Sequence, residues 1–172
     1  FSWSHIAQAS FLPHLSSLDD PDHSFLCGEH DGYVKQYGVR HRRLIDASPA
    51  QISVVDMLAG RAGKSCVELG FLCAPDVDAR VRGGSIELRW HGSDSGRPFM
   101  LLAIPSGFTA EIISSGGAQG RGIVSPRFGE LSAAQHIVLR GQVVHSEGEH
   151  HESAGARTIL TFPGCEGEQG HE

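Results

Sequence analysis

The sequence predicts an all-β protein, a layered antiparallel β-sandwich of about ten strands, and three observations predict it. Apolar and polar side chains alternate in runs of strand length. Turn-forming residues recur about every ten positions. No long amphipathic helical stripe is visible along the 172 residues. The 22 glycines and 8 prolines supply the tight connections that many short strands need. At 40% hydrophobic and 20% charged the chain can bury a core, and residues 1–172 read as a single domain with no internal repeat.

Taken in order, the first twenty or so residues lack clean alternation and read as an edge strand and a loop. A strand near 24–30 closes at Gly32, and one near 35–47 closes at Ser48-Pro49. The next, near 51–58, ends in Leu58-Ala59-Gly60, where the Asp56 carboxylate is expected to cap a turn and Gly60 to supply a positive φ. Near 64–73, Val67, Leu69, Phe71 and Cys73 share one face, and Pro75, which has no amide hydrogen for the ladder, ends the strand. Strands near 78–82 and 85–91 flank Gly83-Gly84; Ile86, Leu88 and Trp90 point inward, opposite Glu87, Arg89 and His91. Between Pro98 and Pro105 the run Phe99 to Ile104 is continuously apolar and reads as a central strand, near 98–104, covered on both faces. A strand near 109–114 precedes Gly116-Gly117. Another near 135–144 places Ile137 and Leu139 inward and His136, Val138 and Arg140 on the reverse, and the last lies near 156–162.

The formal net charge of −6 excludes a general nucleic-acid binder, which needs a basic surface. An anionic polymer would need a local basic patch, and Arg40, His41, Arg42 and Arg43 form the dense one. On a strand, Arg40 and Arg42 share a face and His41 and Arg43 the other. One pair is thus placed to line a groove, while cross-strand ion pairing is the structural alternative. The four cysteines, Cys27, Cys66, Cys73 and Cys165, have no C-x-x-C spacing, which argues against a zinc ribbon or a thioredoxin-type site. Cys66 and Cys73 read as buried free thiols, and a bridge from Cys27 stays open if the protein is exported. No run reaches the roughly 20 apolar residues of a membrane span, and no signal-peptide pattern is visible, so no membrane partner is expected and the residues leave localisation open. The chain begins at Phe1 rather than Met, and an upstream portion is expected.

Three segments carry more specific information. The first is Glu29-His30-Asp31-Gly32-Tyr33 followed by Val39-Arg40-His41-Arg42-Arg43. The second is Val54-Val55-Asp56-Met57-Leu58-Ala59-Gly60 and then Phe71-Leu72-Cys73-Ala74-Pro75-Asp76. The third is Gly122-Ile123-Val124-Ser125-Pro126-Arg127-Phe128-Gly129, closed by Thr158-Ile159-Leu160-Thr161-Phe162-Pro163. In order and spacing these resemble the strand-rich carboxyl-terminal part of the heparinase II/III-like polysaccharide lyases, over most of residues 24 to 163. The resemblance implies a part of a lyase that cleaves a uronate-containing polysaccharide by β-elimination. It implies an acidic polysaccharide and an amino-terminal α/α toroid of the parent protein as partners, and a periplasmic or extracellular setting. In such lyases the toroid carries much of the Tyr, His and Asn machinery, and metal ligands lie upstream of the His-x-Gly-Tyr strand. Nothing before His30 matches those ligands, since Ser4-His5-Ile6 is not His-Asn. The resemblance therefore implies that this segment lacks most of the catalytic residues, binds no cofactor or metal of its own, and leaves a divalent metal to the parent protein. A non-catalytic carbohydrate-binding or scaffold sandwich is the alternative, because fold alone does not set function.

Within the chain, His30 and Tyr33 are the candidate catalytic pair. β-Elimination needs a base to remove the proton at C5 beside the carboxylate and an acid for the departing 4-O sugar, and Tyr and His suit both tasks. Their three-residue spacing on a strand would point them to opposite faces, and a buried His with a core Tyr is the structural alternative. Arg40, Arg42 and Arg127 are the candidate substrate-binding residues. The guanidinium of Arg127, presented by the Ser125-Pro126 to Gly129 loop, suits a carboxylate, whether internal or on a uronic acid. Trp3 and Trp90 offer flat faces for sugar rings, with Trp90 expected in the core. His145, Glu147, Glu149, His150, His151 and Glu152 have metal-capable groups, but the irregular spacing and interrupting glycine read as a solvated loop.

Overall fold

The computed structural model describes residues 7–13, 16–20, 22–60, 62–92, 97–114, 121–145 and 155–163. Among them are fourteen strands and one short helix. In chain order these are β1 (Ala9–Phe11), β2 (Ser17–Asp20), β3 (His23–His30), α1 (Val34–Tyr37), β4 (Val39–Ala47), β5 (Gln51–Gly60), β6 (Gly63–Leu72) and β7 (Val77–Arg82). They are followed by β8 (Ser85–Trp90), β9 (Met100–Ala103), β10 (Thr109–Ile113), β11 (Ile123–Val124), β12 (Ser132–Ala133), β13 (His136–His145) and β14 (Gly155–Thr161). The all-β expectation holds, and each of the ten expected strands is present. Contact density divides the chain into two compact units, one from Phe1–Cys66 and Gln142–Thr158, the other from Val67–Gly141 and Ile159–Glu172.

In the first unit β1, β3, β4 and β5 lie side by side, with β2 also paired to β3. The β3–β4 ladder runs antiparallel from Ser24↔Ala47 to His30↔His41, and the β4–β5 ladder from Ala47↔Ile52 to Val39↔Gly60. Ser53, Val54, Val55 and Asp56 are buried one after another, so the middle of β5 is covered on both faces. β14 flanks the other edge of β5 in the same sheet, and its Gly155 lies so near that a Cβ there would come within 2.9 Å of the Asp56 carbonyl oxygen. The segment expected as a strand from residue 35 starts instead with α1, which ends at Gly38 in the left-handed region, φ 70. Glycine is the residue that adopts this conformation without strain. A Cβ on Gly60 would collide with the Gly38 carbonyl oxygen, which is why the β4–β5 ladder can close there.

In the second unit β7 and β8 form a hairpin in register from Val77↔Trp90 to Arg82↔Ser85. Its two-residue loop begins at Gly83, φ 58, as such tight hairpins require. β9 pairs with β8 and carries Ile159 to Thr161 of β14 on its other edge. A smaller sheet has the order β10-β13-β6, and β7 packs on β10 across the layer between them. The Gln135 side-chain oxygen accepts the Ala79 N–H, and its backbone carbonyl accepts the Cys73 N–H at 2.9 Å. Ile86, Leu88, Leu102, Ile137, Val138 and Leu139 form the core.

The face assignments differ from expectation at two places. Val138 is fully buried beside Ile137 and Leu139, so β13 is apolar on both faces at this point, as a covered central strand is. Trp90 ends β8 at the rim with 47% of its surface exposed. Its ring stacks on Phe99 with centroids 4.5 Å apart. Elsewhere the alternation holds: Leu69 and Cys73 are buried, while Cys66, Glu68, Gly70 and Leu72 are exposed. The exposed Cys66 therefore corrects its expected burial, whereas Cys27 and Cys73 are buried free thiols. Burial pushes both of the latter thiols up from their ordinary pKa. Cys165 and Trp3 lie outside the described residues.

Candidate functional site

Cross-strand register assembles a polar chain at one end of the first unit's sheet. His30 faces His41 and Arg43 faces Asp56, and residues two apart on β4 share a face, so all four side chains converge. His30 Nε2 lies 3.0 Å from His41 Nδ1, and His41 Nε2 lies 2.7 Å from Asp56 Oδ1. Arg43 forks onto the same carboxylate, with Nε 2.7 Å from Oδ1 and Nη2 3.1 Å from Oδ2. At the other end the Gly32 N–H donates to His30 Nδ1 at 3.2 Å.

Those bonds fix both tautomers. The Gly32 amide can only donate, so His30 Nδ1 accepts and its proton sits on Nε2. That proton points at His41 Nδ1, which therefore accepts, leaving the His41 proton on Nε2 to be taken by Asp56. The carboxylate thus orients the first ring and, through it, the second.

Asp56 is buried, which alone would raise its pKa, but the hydrogen bonds and charges of His41 and Arg43 win and hold its carboxyl below the ordinary carboxylate range. His30 is pushed down by burial first and then by repulsion from His41 and Arg43, against the opposing pull of Asp31. Both shifts mean that the unfolded chain binds more protons than the folded one, so stability rises with pH. The contribution of Asp56 is complete above its unfolded pKa, 3.8, and is lost as pH falls through the lower folded value. The expected result is a urea midpoint that drops as acid is added below about pH 4, with a flatter profile in Asp56→Asn. A wild-type profile no steeper than that of Asp56→Asn would contradict this.

The opposite face of the same strands accounts for two of the candidate arginines. Glu29 sits across from Arg42 and accepts both Arg40 Nη1 at 2.7 Å and Arg42 Nη2 at 3.0 Å. Burial tends to raise the Glu29 pKa, but the two guanidiniums outweigh it and the net shift is down. Cross-strand pairing is therefore realised here, and Arg40 and Arg42 enter any ligand contact already holding one acid between them. Arg127 belongs to the second unit, exposed on the loop between β11 and β12, where the Ser125 hydroxyl donates to its carbonyl oxygen at 2.8 Å.

Tyr33 departs from the expected geometry. β3 ends at His30, and the turn through Asp31 and Gly32 swings Tyr33 back, so the two rings lie 5.1 Å apart instead of on opposite faces. Tyr33 is also 6.4 Å from His41 and 6.2 Å from Tyr37, between ring centroids. No residue of α1 is buried, and Tyr33 and Tyr37 are 45% and 62% exposed. The result is a solvated aromatic surface resting on an ordered imidazole pair. His30 itself has both ring nitrogens engaged, so it serves this surface as a support rather than as a free base.

Sequence reasoning placed His30 and Tyr33 here but missed Tyr37, the linking role of His41 and the true position of Asp56. Asp56 caps no turn; it lies within β5, where it holds His41 and Arg43. The signal lay in pairing register, which a turn at Ser48-Pro49 constrains only loosely. In the second unit Arg80 and Arg82 of β7 are exposed, with Glu87 across from Arg80 in the β7–β8 register. Of the expected solvated loop, His145 ends β13, and residues 146 to 152 lie outside the described residues. Among the described residues no group of three or more His, Cys, Asp or Glu side chains is placed to hold a metal ion. No helix is long and apolar enough to cross a membrane among these residues.

Comparison with known proteins places this arrangement in a wider context. The sequence model of the family described as "Heparinase II/III-like, C-terminal" matches residues 4–161. No curated protein matches the chain.

Proposed function

The chain belongs to the heparinase II/III-like C-terminal family, and from that premise we propose that it forms the sheet-built wall of the substrate cleft in a lyase of uronate-containing polysaccharides. The family match supports a part of a polysaccharide lyase. The single structural observation behind the finer reading is the exposed Tyr33–Tyr37 pair seated on His30 and His41. Flat aromatic faces suit the apolar face of a pyranose ring, and phenolic hydroxyls suit its oxygens. In this reading Tyr33 and Tyr37 receive the sugar, while Arg40 and Arg42 on the reverse face of these strands, and Arg127 in the second unit, are separate contacts for carboxylates elsewhere along the polymer. The proton-abstracting set belongs to an amino-terminal toroid of the parent protein, and the reaction is β-elimination that leaves an unsaturated uronate end.

Retention of the whole chain on immobilised alginate, heparin or hyaluronan tests the binding claim. Tyr33→Ala and Tyr37→Ala should each weaken retention by about 2- to 10-fold, the worth of one ring stack. Unchanged retention in both would remove the aromatic wall. Incubating the chain with the same polysaccharides should give no rise in the ultraviolet band of an unsaturated uronate. A clear rise would relocate the proton-abstracting groups into this chain.

A further inference from the structure

We propose that the Asp56–His41–His30 chain is a proton-sensitive latch on the turn that carries Tyr33 and Tyr37, closed when both imidazoles are neutral and opened by one added proton. This deepens the reading of that surface as the saccharide contact and rests on it. The latch follows from how many hydrogens this chain of bonds can hold. Three gaps separate the Gly32 amide from Asp56, namely Gly32 to His30, His30 to His41, and His41 to Asp56. The Gly32 N–H fills the first, His30 Nε2–H the second and His41 Nε2–H the third. A third ring proton has nowhere to go. On His30 it would sit on Nδ1 and face the Gly32 N–H; on His41 it would sit on Nδ1 and face His30 Nε2–H. Either way two donors meet head-on: the bond that turns repulsive is the one that holds the 31–33 turn to His30, or the one by which His41 orients the His30 ring beneath that turn.

Three other hydrogen bonds hold the turn, and the Gly32 bond is the one that ends on an imidazole. Gln8 N–H donates to the Asp31 carboxylate at 2.7 Å, Asp31 N–H to the Gln8 carbonyl at 3.1 Å, and Val34 N–H to the Asp31 carbonyl at 2.8 Å. α1 beyond them buries no residue. The charged and titratable groups that bear on His30 are His41 and Arg43 from β4 and Asp31 and Tyr33 from the turn, with Asp56 of β5 acting through His41; α1 beyond the turn carries Lys35 and Tyr37. The described part of β1 contributes none. Burial, His41 and Arg43 all disfavour the protonated ring, so the closed state has the lower pKa and the open state the ordinary one near 6.5. The latch is therefore closed above that value. Below it the closed-to-open ratio falls about tenfold per pH unit until the closed-state pKa is reached.

The test is a pH titration of the whole chain followed by nitrogen-15 resonances of the histidine rings, together with retention on immobilised uronan. At neutral pH, His30 and His41 should both show the Nε2–H tautomer. As His30 gains its proton, the Gly32 amide and the Tyr33 and Tyr37 rings should shift with the same midpoint, and retention should fall with them. His30→Asn keeps an acceptor for the Gly32 amide and does not titrate in this range, so its retention should lose this pH step. His30 protonation that leaves Gly32, Tyr33 and Tyr37 unmoved would overturn the latch, even if saccharide still binds; this readout needs only the wild-type chain. Coupled shifts with no saccharide retained at any pH would leave the latch standing and overturn the proposed function instead.

Discussion

Asp56→Ala is expected to lower the unfolding free energy by about 3 kcal/mol, seen as a fall in the urea midpoint at nearly constant slope. The carboxylate is 5% exposed and holds His41 and Arg43 at once. Its removal leaves the His41 N–H without an acceptor where solvent scarcely reaches, and frees a guanidinium whose charge it neutralised. Breaking a buried pair from one side is the costly direction, because the surviving partner remains desolvated. The value falls at the low end of that class because the Arg43 side chain is 42% exposed, so water recovers part of the loss. Asp56→Asn retains an oxygen for His41 and should cost about 1–2 kcal/mol. Adding Arg43→Ala to Asp56→Ala should cost less than the two single losses together, since they remove a shared contact. An Asp56→Ala midpoint within error of wild type would show that these bonds add nothing to the fold.

The same residue shows how far the sequence could be read. Alternation within single strands was legible: Val67 to Cys73 and Ile86 to Leu88 turn the faces that their periodicity predicts, because a pleat puts neighbours on opposite sides whatever surrounds it. What lies across from a strand is set by turns and sheet neighbours, which act over longer spans. Asp56 next to a Leu-Ala-Gly sequence therefore resembled a turn former, although its partners are 15 and 13 residues away on β4. His30 and Tyr33 were assigned to opposite faces on the assumption that the strand continued through Gly32. The strand stops at His30 instead, and the turn returns the Tyr33 ring to the imidazole it was expected to avoid. Arg40 and Arg42 were correctly placed on one face, but the acid that engages both, Glu29, follows from the β3–β4 register and not from spacing along β4.

Val138→Asp is expected to prevent folding, a loss of more than about 4 kcal/mol, and it discriminates between the alternating pattern and the observed packing. In the sequence Val138 sits between Ile137 and Leu139, and strict alternation assigns it to the reverse side with His136 and Arg140. A charge on a solvated reverse side would change stability by only about 0.5 kcal/mol. In the structure Val138 faces Glu111 in the β10–β13 register, yet none of its surface is exposed. A carboxylate there would be desolvated with another carboxylate-bearing residue opposite, so it must either take up a proton or unfold the strand. Leu139→Ala, on the other face of the same strand, should cost about 2–5 kcal/mol by loss of packing alone. The exposed Leu72→Ala should be nearly silent by comparison. If Val138→Asp melts like Leu72→Ala in a urea titration followed by circular dichroism, β13 has one wet face after all. The covered layer inferred for the second unit would then be wrong at its centre.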